Sequence, residues 1–136
     1  MSAVTVLDAS AILAFLQGEP GEEMLRLALQ SNRCVVTAAN QSEVIAKILD
    51  SGVEAEAITT MMGQLAYTVI DITAEDGEFS GWMRNQTRTI GMSVGDRLCL
   101  AAAKRLKTAV LTSDRPWLTM AQPLGLDIRC IRPDSR

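Results

Sequence analysis

The chain has 136 residues, enough for one domain with a real hydrophobic core, and its 48% hydrophobic and 21% charged residues are the composition of a globular protein, not a disordered tail. It contains no histidine, which excludes Ser-His-Asp and Cys-His nucleophilic catalysis and most zinc or redox-metal sites, so any chemistry falls to carboxylates and to hard cations such as Mg²⁺ or Mn²⁺. The net charge of −3 is unevenly spread: residues 1–83 carry three basic and twelve acidic side chains, residues 84–136 ten basic and four acidic, and a basic second half suits contact with a phosphate backbone on one face.

In chain order, the β-branched run at 4–8, VTVLD, reads as a buried strand that ends in Asp8. Asp8 has two readings: an N-cap for the helix expected over 9–16, or an acid delivered by a strand end. A helix over 22–30 and a strand over 34–37 follow. The helix expected over 41–50 has Val44, Ile45, Ile48 and Leu49 on its apolar stripe, which puts Glu43 on the opposite face as half of an exposed i,i+4 pair with Lys47. Next come a helix over 55–64, a strand over 67–72 and a helix over 75–87. The stripe of Ile58, Met61, Met62 and Leu65 belongs to the core or to a partner contact.

The helix expected over 95–106 is apolar on nearly every side from 98 to 103, with Asp96 near its positive end. Ser93 followed by Asp96 is also a capping-box pattern, so Asp96 too has a purely structural reading. A strand over 108–112 runs on to Asp114, and a last strand over 128–131 follows the connecting segment 115–124. Trp117 either closes the core after that strand or stacks on a base.

The order of elements predicts a single α/β domain over 1–136, with a parallel sheet covered by helices on both faces. Parallel strands present their carboxyl ends on one side, where ligands of open α/β sheets bind. Asp8 and Asp114, far apart in sequence, therefore arrive at the same sheet edge. The three cysteines, Cys34, Cys99 and Cys130, are odd in number and widely spaced, as expected of reduced thiols in a cytoplasmic protein. The start MSAVTVLDAS has no basic or long apolar leader, and the longest apolar run, 98–103, is far shorter than a membrane span, so no membrane partner is expected.

Four segments taken together, VLDASAILAFL, QSEVIAKIL, SVGDRLCLAAAKRL and VLTSDRPW, resemble the PIN-domain nucleases, specifically the VapC toxin branch, along essentially the whole chain. The resemblance implies a three-layer α/β/α sandwich with a five-stranded parallel sheet and a Mg²⁺- or Mn²⁺-dependent endoribonuclease. It further implies a toxin restrained by a VapB-like antitoxin and assembled as a homodimer. Carried over residue by residue, Asp8, Glu43, Asp96 and Asp114 form the catalytic cluster, with Asp8 and Asp96 directly on the metal, Asp114 on it directly or through water, and Glu43 on the metal or on the attacking water. Ser10, Thr112 and Ser113 are the polar residues expected to support them, and Arg84, Arg88, Arg97 and Arg115 are candidates for RNA phosphate contact. Leu13, Leu16, Leu25, Leu29 and the Met61 region are candidates for antitoxin contact.

Two other phosphate-handling α/β classes fit less well. A receiver module needs adjacent acids at its first strand and a lysine after its fifth; the chain has Asp71 but neither of these. A haloacid-dehalogenase-like phosphatase needs a D-x-D pair where the chain has Asp8-Ala9-Ser10. Within the family the alternatives are an RNA-processing nuclease without a toxin role, or a module that binds RNA or protein with little activity. The short chain with no appended domain favours the toxin.

Overall fold

Runs of β-branched residues too short to stand alone gain stability by pairing side by side. In a computed structural model, which describes residues 4–133, five of them do so: β1 (Thr5–Leu7), β2 (Cys34–Thr37), β3 (Tyr67–Ile70), β4 (Val110–Thr112) and β5 (Ile128–Cys130). They form one sheet in the order β3-β2-β1-β4-β5, with every pair parallel. Each lies within the run expected from sequence and is one or two residues shorter in four of the five cases.

The helices are α1 (Ala9–Leu16), α2 (Glu22–Gln30), α3 (Ala38–Asp50), α4 (Ala55–Gly63), α5 (Ala74–Trp82), α6 (Arg84–Thr87), α7 (Val94–Leu106) and α8 (Ala121–Leu124), with 3₁₀ turns at Arg88–Ile90 and Arg115–Met120. Successive strand residues face opposite sides. Leu7, Val36 and Leu111 pack with Ile12, Leu25, Leu29, Val44, Ile48 and Ile58 from α1 to α4. On the other face Val6, Val35, Val110 and Ile128 pack with Met83, Leu100, Trp117, Met120 and Leu124. The result is the expected α/β/α arrangement. No helix among the described residues is long and apolar enough to cross a membrane, and all three cysteines are free thiols.

Two helices differ from expectation. α3 begins at Ala38, three residues before the expected start, because Thr37 ends β2 and at the same time caps the helix: its hydroxyl accepts the Asn40 backbone N–H at 3.1 Å. The helix expected over 75–87 stops at Trp82, where Gly81 weakens the turn and the chain bends to bury Met83, which is 1% exposed. Trp117 is equally buried and belongs to the core, and Leu25 and Leu29 are core residues as well, so none of the three offers a surface to a partner.

Strand order reverses between β1 and β4. In an open α/β sheet the crevice lies beyond the carboxyl ends of the strands at such a reversal.

Candidate functional site

Asp8 leaves β1 at this reversal, next to the end of β4. Its side chain accepts the Ala11 backbone N–H at 2.8 Å and so caps α1. The cap and the acid of the crevice are the same group, so the two sequence readings of Asp8 do not exclude each other. Thr112 Oγ1 donates to Asp8 Oδ2 at 2.9 Å, and Ser10 Oγ lies 2.9 Å from both carboxylate oxygens. Each hydroxyl is itself held by an amide of the loop after β4: Asp114 N–H donates to Thr112 Oγ1 and Ser113 N–H to Ser10 Oγ, both at 3.0 Å. Ser113 thus takes part through its backbone, not its side chain.

These bonds favour an ionised Asp8, yet the residue is 2% exposed. Burial outweighs the hydrogen bonds from Ala11, Ser10 and Thr112, the negative charge of Asp96 adds to the effect, and the carboxyl is pushed up from 3.8 to about 7.

Asp96 stands in the first turn of α7 and completes a capping box: Ser93 Oγ accepts the Asp96 N–H at 3.1 Å, and Asp96 Oδ2 accepts the Ser93 N–H at 3.0 Å. Its other oxygen has no protein donor among the described residues. Asp114, on the exposed loop after β4, has its carboxyl raised by partial burial and by Asp96, against a lowering hydrogen bond from Trp117 and the charge of Arg132.

Glu43 faces the crevice and not Lys47; no ion pair joins those two among the described residues. Its Oε1 accepts from Asn40 Nδ2 at 2.9 Å, and the same Nδ2 lies 3.4 Å from the Gly95 carbonyl. Gly95 leaves room for this carboxylate: a Cβ there would meet Glu43 Oε1 and lie 3.0 Å from Cδ. Beneath the group, the buried Cys99 thiol is raised first by burial and then by Asp8, Asp96 and Glu43 in turn. The four predicted acids are therefore brought together at one sheet edge. Asn40 and Gly95 went unmarked in the sequence; Asn40 fell outside the expected helix, and a glycine between Val94 and Asp96 reads as a mere weak spot in a helix start.

The donor set is all oxygen and all carboxylate or hydroxyl, which fits a hard divalent cation. A carboxyl as deeply buried as Asp8 takes up a proton near neutrality unless a positive charge compensates it. Among the described residues no three acidic or thiol side chains close around a single point.

Of the four candidate phosphate contacts, Arg84 and Arg88 are exposed on the segment after α5. Arg97 is engaged within the protein, where Nε donates to the Ser80 carbonyl at 3.0 Å and Nη1 to the Met92 carbonyl at 2.9 Å, tying that segment to α7 beside Asp96. Arg115 Nη2 donates to the Arg132 carbonyl at 2.7 Å.

Solved structures share this architecture. The DNA-bound VapBC from Salmonella typhimurium aligns over 96% of this chain and 99% of its own with a TM-score of 0.72 and 15% identity. A toxin-antitoxin complex from Klebsiella pneumoniae aligns over 92% and 95% with a TM-score of 0.66 and 17% identity. VapBC2 from Rickettsia felis, bound to a DNA fragment from its promoter, aligns over 93% and 98% with a TM-score of 0.68 and 14% identity. No curated protein matches the chain at a significant level. The PIN domain family matches residues 5–121, most of the sheet and all four acids included, and the chain belongs to that family.

Proposed function

We propose that the protein is a divalent-metal-dependent endoribonuclease that serves as the toxin of a toxin-antitoxin pair and is restrained by a VapB-like protein. The observation that supports the enzymatic part is the placement of Asp8, Glu43, Asp96 and Asp114 around the switch point, with Asp8 so buried that a bound cation would favour its ionised form near neutrality. The pairing with an antitoxin is supported by the fold shared with toxin-antitoxin complexes, and a homodimer is part of the same reading.

Asp8, Asp96 and Asp114 would hold Mg²⁺ or Mn²⁺, which when bound supplies Lewis-acid stabilisation of a phosphodiester and a more acidic water. Ser10 and Thr112 fix the Asp8 carboxylate so that its oxygens do not rotate away. Glu43 would join the three aspartates on the metal or orient the attacking water. Arg84 and Arg88 would meet the RNA backbone, and with the four site acids offset by cations the remaining charge no longer repels it.

The test is incubation of the purified chain, free of partner, with a pool of structured RNAs in Mg²⁺, Mn²⁺ or EDTA, next to Asp96→Asn. Fragments that require the metal and vanish in a folded Asp96→Asn protein are the expected result. Cleavage that survives both EDTA and the substitution overturns the assignment.

A further inference from the structure

Asn40 is an awkward residue for a core. Its side chain is fully buried, and its backbone N–H already serves the Thr37 cap whatever side chain stands there. Of the amide, only the nitrogen end is used, on Glu43 Oε1 and the Gly95 carbonyl; Oδ1 is buried with no hydrogen-bond partner among the described residues. A buried acceptor left unpaired is costly and rare, and an apolar side chain of the same volume would avoid the cost. On the opposite side Gly95 is buried as well, and the space its missing Cβ leaves is filled by the Glu43 carboxylate.

We propose that Asn40 and Gly95 form a two-sided clamp that positions Glu43 toward Asp96, with Asn40 donating to the carboxylate and Gly95 leaving it room. The clamp explains why Glu43 turns from Lys47 and solvent, where its helical position alone would direct it. Asn40 is a positioning residue that acts through Glu43, and the inference rests on the reading of Glu43 as part of a metal-dependent site.

Asn40→Leu removes the donor while keeping the branched shape and number of side-chain heavy atoms, and Gly95→Ala pushes the carboxylate from the other side without straining α7. Mn²⁺ binding by the RNA-free, partner-free chain is measured by calorimetry, with melting temperature alongside. Each substitution is expected to weaken Mn²⁺ binding about tenfold, the scale seen when a group supporting a metal ligand is lost, without lowering the melting temperature. In a Glu43→Gln background the same substitutions are expected to change nothing further. In the metal-free protein, the Asn40 side-chain amide protons should exchange slowly with solvent and lose that protection in Glu43→Ala.

Equal losses with and without Glu43, no Mn²⁺ binding by the unsubstituted chain, or an Asn40 amide that exchanges freely would each overturn the clamp. A chain that shows the coupling but cuts no RNA keeps the clamp and defeats the ribonuclease reading, so the two fail separately.

Discussion

Serine or threonine at position 8 would cap α1 without desolvating a charge, and at this position the chain instead carries an acid that burial pushes up to about 7. Its folded value lies above its unfolded one, so between about pH 4 and pH 7 the folded state holds a proton that the unfolded chain has released. Stability from this group therefore falls as pH rises through that window and stays low above it. Asp8→Asn, which keeps the cap and removes the charge, should raise the melting temperature of the cation-free protein at pH 8 by the equivalent of roughly 2–4 kcal/mol while abolishing cleavage. It should gain little at pH 4. Melting curves of both proteins at the two pH values in EDTA decide this; parallel pH dependence would mean that another group titrates.

Among the elements, α5 and α7 are joined by a clamp that stands apart from the crevice. Arg105 reaches Asp76 with two hydrogen bonds of 2.9 and 3.0 Å, and Asp76 also closes a capping box with Thr73. Burial alone would raise the Asp76 carboxyl, but the bonds from Arg105 and Thr73 outweigh it and hold it below the usual value. Here the unfolded chain binds the proton more readily, so the contribution is complete above about pH 4 and is lost as pH falls through the folded value. Leaving the buried Asp76 carboxylate without its part-exposed partner, as in Arg105→Met, should cost roughly 1–3 kcal/mol at pH 7, read as a shift of the urea midpoint, and should flatten the acid limb of the stability curve.

The alternation of β-rich runs and helical stripes made the layered parallel sheet legible, because strands buried on both faces keep their apolar run intact. Asp8 and Asp114 were legible at the sheet edge for the same reason. Glu43 was not: its spacing describes an exposed residue, and what turns it inward is Asn40 one helical turn back together with the missing Cβ of Gly95, which lies 55 positions beyond Asn40. Nor does any local pattern say that β1 and β4 are neighbours, so the Thr112 bond to Asp8 emerges only in three dimensions.

Among the described residues, the basic second half divides into arginines with structural partners and arginines without such a bond. Arg97 fastens the segment between α5 and α7, whereas Arg84 and Arg88 extend from that segment into solvent. If this face meets RNA, the Arg84→Ala/Arg88→Ala pair should raise KM several-fold with kcat little changed, and should reduce the slope of log KM against log salt by about one to two. A salt series from about 50 to about 300 mM on both proteins is the measurement, and an unchanged slope would place the RNA elsewhere.

The two tryptophans also occupy opposite extremes. Trp82 is 76% exposed at the end of α5, while Trp117 is 1% exposed and its backbone N–H donates to the Asp114 carbonyl at 3.1 Å. The protein thus carries two separable optical reporters: one red-shifted and open to a quencher dissolved in the buffer, the other blue-shifted, shielded, and anchored through its backbone to the loop that carries Asp114. Light emitted by the shielded indole follows the packing of the core beneath the Asp114 loop, and that of the exposed one follows whatever approaches α5, so one cuvette can time changes at the two places separately without an added dye.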